Sequence, residues 1–123
     1  MSISLLIFLI LILAKHFIVD WVVQTDEMAN EKGHKPTLLF LHGLEHAIGT
    51  FMIGIFFISP VKILMIATME ILIHCGIDFV KSRIMGYTKW QFPQKKFLIS
   101  MGFDQLLHQL TYLAFAYYIF MPK

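Results

Sequence analysis

The sequence predicts an all-α fold, an antiparallel four-helix bundle that spans a membrane. Of the 123 residues, 58% are hydrophobic, whereas about half is usual for a soluble domain. The charged residues cluster between four apolar blocks, each close to the roughly 20 residues that a spanning helix needs. The blocks cover residues 3–23, 37–58, 61–80 and 97–120. They nearly exhaust the chain, so we expect one domain over residues 1–123. The alternative is a soluble four-helix protein, but the first and last blocks have no polar face.

The first block is expected to be a mature helix rather than a signal peptide. Residues 1–4 contain no lysine or arginine, and no small-residue cleavage site follows the block. The second block opens after Pro36, which suits the first turn of a helix. Ser59 and Pro60 predict a tight turn before the third block. Residues 25–36 and 81–96 predict two polar loops. The single cysteine, Cys75, excludes an internal disulfide.

Each apolar block carries two metal-ligating side chains four residues apart, which places both on one face of a helix. The pairs are His16 and Asp20, His42 and His46, His74 and Asp78, and Asp104 and His108. They fall late in the first and third blocks and early in the second and fourth. At about 1.5 Å of rise per residue, an antiparallel arrangement brings all four pairs to a similar depth. We therefore predict that the eight side chains converge near the two polar loops.

The two halves of the chain also echo one another. The first half reads His-x-x-x-Asp and then His-x-x-x-His, and the second reads His-x-x-x-Asp and then Asp-x-x-x-His. This pattern predicts two pseudo-repeated helix hairpins, a known style of membrane repeat. The loop at 81–96 carries five positive charges and no negative one. The positive-inside rule then places both polar loops and the ligand-rich face in the cytoplasm, with both termini outside.

Imidazole and carboxylate ligands suit zinc first, with iron or manganese as alternatives. Eight donors are enough for two or three ions that share bridging carboxylates, and helical bundles build such sites from ligand pairs on facing helices. Ionisable groups inside a membrane are costly and are functional by default. The competing interpretation is a metal-free polar network that packs the helices or relays protons. A net charge of +2 gives no indication of nucleic-acid binding.

Several neighbouring residues have two interpretations. Glu70 shares the face of His74, and Glu45 adjoins His46, so each is expected either to orient an imidazole or to pack helices. His34 lies in a loop beside a glycine and is expected to be a solvated surface histidine. The aromatic region at 112–118 and Trp90 are expected to be anchors at the membrane interface.

The motifs resemble one protein family in particular. His16-x-x-x-Asp20, the run at 23–29, His42-x-x-x-His46 and the two later pairs together resemble the family of domain of unknown function 3307. The resemblance implies a small bacterial or phage inner-membrane protein, with no established activity. The chain is more loosely similar to membrane-bound metal-dependent hydrolases and to the zinc phospholipase C and P1 nuclease group. That group also uses His-x-x-x-Asp pairs, but its N-terminal tryptophan ligand has no counterpart here.

The leading functional hypothesis is an intramembrane metal-dependent hydrolase of a phosphoester or a lipid-linked substrate. Asp78 or Asp104 would orient the attacking water, and Lys81 would either hold an anionic head group or serve as membrane-flanking charge. The alternatives are a di-iron oxidase or desaturase and a non-enzymatic metal carrier or sensor. The expected partners are the lipid bilayer and the substrate, and a bundle of 123 residues is also compatible with a homodimer.

Overall fold

The computed structural model describes residues 2–121, and this part of the chain contains five α-helices and no strand. The helices are α1 (Ile3–Phe17), α2 (Asp26–Glu31), α3 (Pro36–Gly54), α4 (Pro60–Thr88) and α5 (Lys95–Phe120). A π-helical segment, Ile18–Val23, continues α1. The all-helical prediction is confirmed for the described residues, and the four predicted apolar blocks correspond to α1 with its π-helical extension, α3, α4 and α5.

The first helix begins with a side-chain cap and ends in an unusual conformation. The Ser2 hydroxyl accepts a hydrogen bond from the Leu5 amide at 3.2 Å, which satisfies one of the free amides of the first turn. From Ile18 the backbone widens into a π-helix, in which the Gln24 amide donates to the Val19 carbonyl at 3.0 Å. Such segments are rare and often occur at functional sites. This one carries Asp20, one of the predicted metal ligands.

The prediction of a polar loop at 25–36 is wrong for its first half, which forms the short helix α2. Thr25 is the cap, because its hydroxyl accepts from the Met28 amide at 3.2 Å. Asp26 and Glu27 then lie in the first turn, where acidic side chains interact favourably with the helix dipole. These local interactions explain why a run of polar residues is helical here.

The prediction of a loop at 81–96 is also wrong for its first half, because α4 continues two turns farther, to Thr88. Lysine and arginine are good helix formers, and Lys81 has a partner in Asp104 on α5, with Nζ 3.0 Å from Oδ2. The helix ends at Lys89, whose φ of 57° is left-handed. The charged residues after the third apolar block therefore extend α4, and the connection between α4 and α5 is short.

The four long helices pack in the order α1, α3, α4, α5, and α5 also contacts α1. Two glycines let α3 approach α4 closely. The position of a Cβ on Gly43 lies 2.5 Å from the Cys75 sulfur, and that of Gly54 is filled by the side chain of Ile63. Small residues at helix contacts are typical of membrane proteins. The apolar core lies at the end of the bundle opposite α2, and its buried members are Phe8, Ile12, Ile63, Ile66, Tyr112, Phe115 and Ala116.

Two helical stretches in the described part of the chain are long and apolar enough to span a membrane. They are Ile3–Val23 and Pro60–Thr88. The outward faces of the long helices are rich in large apolar side chains: Ile3 is 76% exposed, Met52 is 61% exposed and Leu72 is 72% exposed. Large apolar side chains therefore lie on the outer surface of the bundle as well as in its core.

Candidate metal centre

Two overlapping groups of metal-ligating side chains lie inside the bundle. The first group offers one ligand atom each from Asp20, His42, His46 and His74, and these atoms lie within 4.8 Å of one another. The second group comprises His74, Asp78 and His108, also with ligand atoms within 4.8 Å. His74 belongs to both groups, so the two form one continuous centre. It draws on the π-helical segment, α3, α4 and α5.

The first group is arranged around the carboxylate of Asp20. Its Oδ1 atom lies 2.8 Å from His46 Nε2 and 3.0 Å from His42 Nε2. The rings of His46 and His74 stack with centroids 3.8 Å apart. Glu45 adds a carboxylate oxygen 3.6 Å from the other nitrogen of His42. At 3.6 Å this contact with His42 is too long for a hydrogen bond, so an orienting role for Glu45 stays a prediction.

The second group is arranged around the carboxylate of Asp78. Its Oδ2 atom lies 3.5 Å from His74 Nε2, and its Oδ1 atom lies 3.4 Å from His108 Nε2. The rings of His74 and His108 stack with centroids 4.1 Å apart. Lys32, which follows α2, reaches the same carboxylate, with Nζ 2.7 Å from Oδ2. An ammonium group therefore neutralises Asp78 from the side of the polar loop.

The buried donor atoms of this centre fit a metal ion. Among the described residues, several buried ring nitrogens and carboxylate oxygens of the centre form no hydrogen bond. They are Nδ1 of His42, Nε2 of His74, Oδ1 of Asp104 and Nε2 of His108. Oδ2 of Asp78 and Nε2 of His42 also lack an aligned hydrogen bond, but they lie in the ion-pair range of Lys32 and Asp20. Buried polar atoms without hydrogen bonds are rare because they lose their interactions with water. A divalent cation would give these atoms a partner, and the mixture of nitrogen and oxygen ligands is that of zinc, iron or manganese sites.

The other two predicted ligands, His16 and Asp104, lie at the edge of the centre. His16 Nε2 is 3.3 Å from Asp20 Oδ2, and Asp104 Oδ1 is 3.6 Å from His108 Nε2. Gln105 lies between them: its amide nitrogen donates to Asp20 Oδ2 at 3.4 Å and to Asp104 Oδ2 at 3.2 Å. All eight predicted side chains are thus brought to one region, with six of them in the two ligand groups.

A buried network beneath the centre was not predicted as such from the sequence. Lys15 Nζ donates to Glu70 Oε1 at 2.7 Å and to the Tyr112 hydroxyl at 3.0 Å. The Tyr112 hydroxyl donates to Glu70 Oε1 at 2.9 Å and lies 3.1 Å from His16 Nδ1. Lys15 Nζ also lies 3.4 Å from Nδ1 of His46. This network therefore contacts the rear nitrogens of two imidazoles.

The expectation that Tyr112 anchors the chain at the membrane interface is wrong. Tyr112 is only 1% exposed, because its ring packs in the core while its hydroxyl binds Lys15 and Glu70. Lys15 was recognisable only as a charge at the end of an apolar run. Glu70 was recognised from its spacing to His74, and its carboxylate is linked to His16 and His46 through Tyr112 and Lys15. Helical spacing within one segment gave no indication of these contacts between helices.

The centre opens into a polar cavity of about 660 Å³ at the α2 end of the bundle. Asp20, Asp78 and Asp104 line its inner side, and Lys32 and Lys81 bring positive charge to it. His34 lines the mouth of the cavity and is exposed, in agreement with its predicted solvation. Trp90 also lines the cavity, so at least part of this residue faces inward rather than toward lipid. The centre is therefore reached from the α2 end of the bundle through this cavity.

Comparison with known proteins identifies a family but no activity. The chain matches the family described as "Protein of unknown function (DUF3307)" over residues 7–123. No curated protein and no solved structure shows a significant match to the chain. The chemistry of the site must therefore be argued from its own residues.

Proposed function

The chain belongs to the DUF3307 family, and from this premise and the geometry of the site we propose that it is an integral membrane, metal-dependent hydrolase. Its substrate is a phosphoester or a lipid-linked compound. The single observation that carries the proposal is a buried histidine and aspartate centre at the base of a cavity that also contains two lysines. Fold likeness plays no part in it.

The exposed apolar surface supports a membrane location. Large apolar side chains cover the outward faces of all four long helices, and a soluble monomer rarely exposes apolar patches beyond a few hundred Å². We propose an antiparallel four-helix transmembrane bundle made of two pseudo-repeated hairpins. The positive charges of residues 81–96 place the ligand-rich end in the cytoplasm of a bacterial-type cell, with the termini outside.

The two overlapping ligand groups support two bound ions. Asp20, His42 and His46 would hold the first ion and Asp78 and His108 the second, with His74 between them. His16 and Asp104 lie close enough to add one ligand to each of these two sets. A third ion would instead have to take both His16 and Asp104 as its ligands. Zinc is the metal we propose, because imidazole and carboxylate ligands with open positions are typical of catalytic zinc sites. The likeness of the paired motifs to the zinc phospholipase C and P1 nuclease group stays a prediction.

Bound divalent metal would supply an acidified water and would polarise a phosphoryl or acyl oxygen. The residues of the chain would do the rest. Asp104 has a buried oxygen, Oδ1, without a hydrogen bond and lies at the cavity wall, where it can accept a proton from a water. Lys81 lines the same cavity and can bind an anionic head group once it leaves Asp104. Asp78 can hold the water in position, because its two oxygens face different imidazoles.

The apolar end of the bundle argues against metal transport. Phe8, Ile12 and Ile63 are each 0% exposed and close the interior at the end opposite the cavity. An ion that entered from the α2 end would meet this apolar core. Hydrolysis at a closed site therefore fits the interior better than passage of an ion through it.

Elemental analysis and a substrate panel test the proposal. Purified protein should contain divalent metal, and it should hydrolyse at least one member of a panel of phosphodiesters, phosphomonoesters and phospholipids. Asp104→Asn should lower turnover much more than it lowers metal content, and Lys81→Met should raise KM for the anionic substrate more than it lowers kcat. Lys35→Met is the control, because Lys35 is exposed and pairs with Glu27 outside the cavity. A metal-loaded protein that is inactive on the whole panel would contradict the hydrolase, and metal-free protein would contradict the site.

A further inference from the structure

An apolar groove runs along the outer side of the bundle between α4 and α5. It consists of two adjoining cavities, of about 370 Å³ and about 780 Å³. Ile73, Ile77 and Leu107 line both cavities, so the two form one channel along the helix pair. The groove residues of α4 recur every three or four positions from Lys62 to Lys81, which is about 28 Å at 1.5 Å of rise per residue. The groove is therefore nearly as long as the hydrocarbon core of a bilayer is thick.

The groove joins the polar cavity of the metal centre. Lys81 and Asp104 line the groove at its near end and also line the polar cavity. A ligand in the groove would thus place one end beside the Lys81 ammonium and the predicted ligand Asp104. The rest of the groove wall is apolar, apart from Ser100 beside Lys81 and, toward the far end, Lys62, Thr111 and Tyr118. A long hydrocarbon with an anionic group at one end matches this distribution.

We propose that the groove binds the hydrocarbon chain of a phosphate-bearing lipid and places the phosphate at Lys81. Burial of the hydrocarbon chain in the groove provides a binding free energy that depends on the apolar area buried and not on the structure of the head group. The phosphate lies at Lys81 rather than at Lys62, the lysine at the far end of the groove, because only Lys81 also lines the polar cavity of the metal centre. The binding step stands on the groove alone, whereas cleavage of the bound lipid rests on the proposed hydrolase function. The substrate class of the centre is then a long-chain lipid phosphate rather than a soluble phosphoester.

Gly76 allows a direct test. It lies on α4 in the wall of the groove, and a Cβ added there would meet no heavy atom within 4 Å. Gly76→Leu therefore fills the groove without disturbing the helix packing. Gly102→Leu is the matched control, because Gly102 is an exposed glycine of α5 with the same open surroundings but lies outside both cavities. Both changes replace helical glycine by leucine and should favour the helix equally.

The probe is a hexadecyl phosphate that carries a photoreactive diazirine in its chain, applied to the purified protein in detergent micelles. Crosslinks located by mass spectrometry should concentrate on α4 and α5 between residues 72 and 115. Unlabelled hexadecyl phosphate should compete, and butyl phosphate should not. Gly76→Leu should lower labelling by about tenfold or more, since each methylene kept out of the groove costs several-fold in affinity. Gly102→Leu should label as the wild type does.

Three results would overturn the inference. Labels spread evenly over the outward faces of α1, α3, α4 and α5 would show ordinary contact with detergent or lipid. Equal labelling of wild type and Gly76→Leu would show that the hydrocarbon chain of the probe does not enter the groove. Crosslinks between two copies of the protein through α4 and α5 would show that a second copy covers the groove instead. The same experiment on the metal-loaded protein, paired with an assay of hydrolysis, separates the two proposals. Labelling without hydrolysis would support lipid binding in the groove and count against the hydrolase. Equal hydrolysis of short-chain and long-chain phosphoesters would support the hydrolase and count against the groove.

Discussion

The ion pair between Lys15 and Glu70 provides a test of the buried network that requires no bound metal. Lys15 Nζ lies 2.7 Å from Glu70 Oε1, and the two side chains are 6% and 1% exposed. The Tyr112 hydroxyl is the nearest further partner of both. Each charge is therefore stabilised mainly by the other, in a part of the interior with little access to water.

Removal of one partner leaves an uncompensated buried charge. In Lys15→Met, Glu70 retains the Tyr112 hydroxyl at 2.9 Å, and its other oxygen has no hydrogen bond. In Glu70→Met, the ammonium retains only the hydroxyl and the imidazole of His46. We expect each single change to lower the free energy of unfolding by about 3–5 kcal/mol, the usual cost of breaking a buried pair. The double change should be near wild type or more stable, because it removes both desolvated charges.

The measurement is a double-mutant cycle, with reversible unfolding in mixed micelles followed by circular dichroism. A chelator is present throughout, so that bound metal makes no contribution. The control is Lys35→Met, which breaks the exposed pair with Glu27 and should leave the midpoint unchanged. The reasoning fails if both single variants lose less than about 1 kcal/mol, or if the losses in the double variant simply add.

Three further results are expected of the metal centre. His74→Ala should lose metal from both ligand groups and His34→Ala from neither, as measured by elemental analysis; equal metal in the two variants would contradict the shared role of His74. Tyr112→Phe should weaken metal binding by about 10–100-fold, the usual effect of losing a group that orients a ligand. Tyr117→Phe, on the exposed face of the same helix, should leave metal binding unchanged. Competition with a chromophoric chelator measures the affinity of both variants. Asp20→Asn should abolish the tighter of two binding steps in a calorimetric titration, and loss of the weaker step alone would refute the assignment.

The helices could be predicted because their apolar blocks are long and their ends carry proline, serine or charge. The convergence of the ligand pairs could be predicted because i and i+4 spacing fixes a face, and a short connection fixes the direction of the next helix. The structure brings His16, His42, His74 and His108 to one region, as that argument requires. The prediction that they bind metal is separate, and it stays a prediction.

Contacts between distant segments could not be predicted from spacing alone. Lys32 follows a helix that looked like a loop, and its contact with Asp78 depends on how α2 folds back over the bundle. Tyr112 lies among aromatic residues that resemble an interface belt, and only the depth of α5 against α1 shows that its hydroxyl is buried. The π-helical segment has no clear sequence signal, although it sets the position of Asp20. In each case the determining partner is far away in the chain.

Charge balance explains why the group around Asp20 should bind metal more tightly than the group around Asp78. Three buried carboxylates each have a lysine partner: Lys15 pairs with Glu70, Lys32 with Asp78 and Lys81 with Asp104. The Asp20 side chain is 10% exposed, and its neighbours in the ion-pair range are the imidazoles of His16, His42 and His46. Neutral imidazoles bring no charge to offset the carboxylate, whereas a dication would offset it directly. An ion at Asp78 must first displace the ammonium of Lys32, and this competition weakens the second step. Of the three aspartates that line the cavity, Asp78 and Asp104 thus have a lysine partner among the described residues, whereas Asp20 has only imidazoles in the ion-pair range.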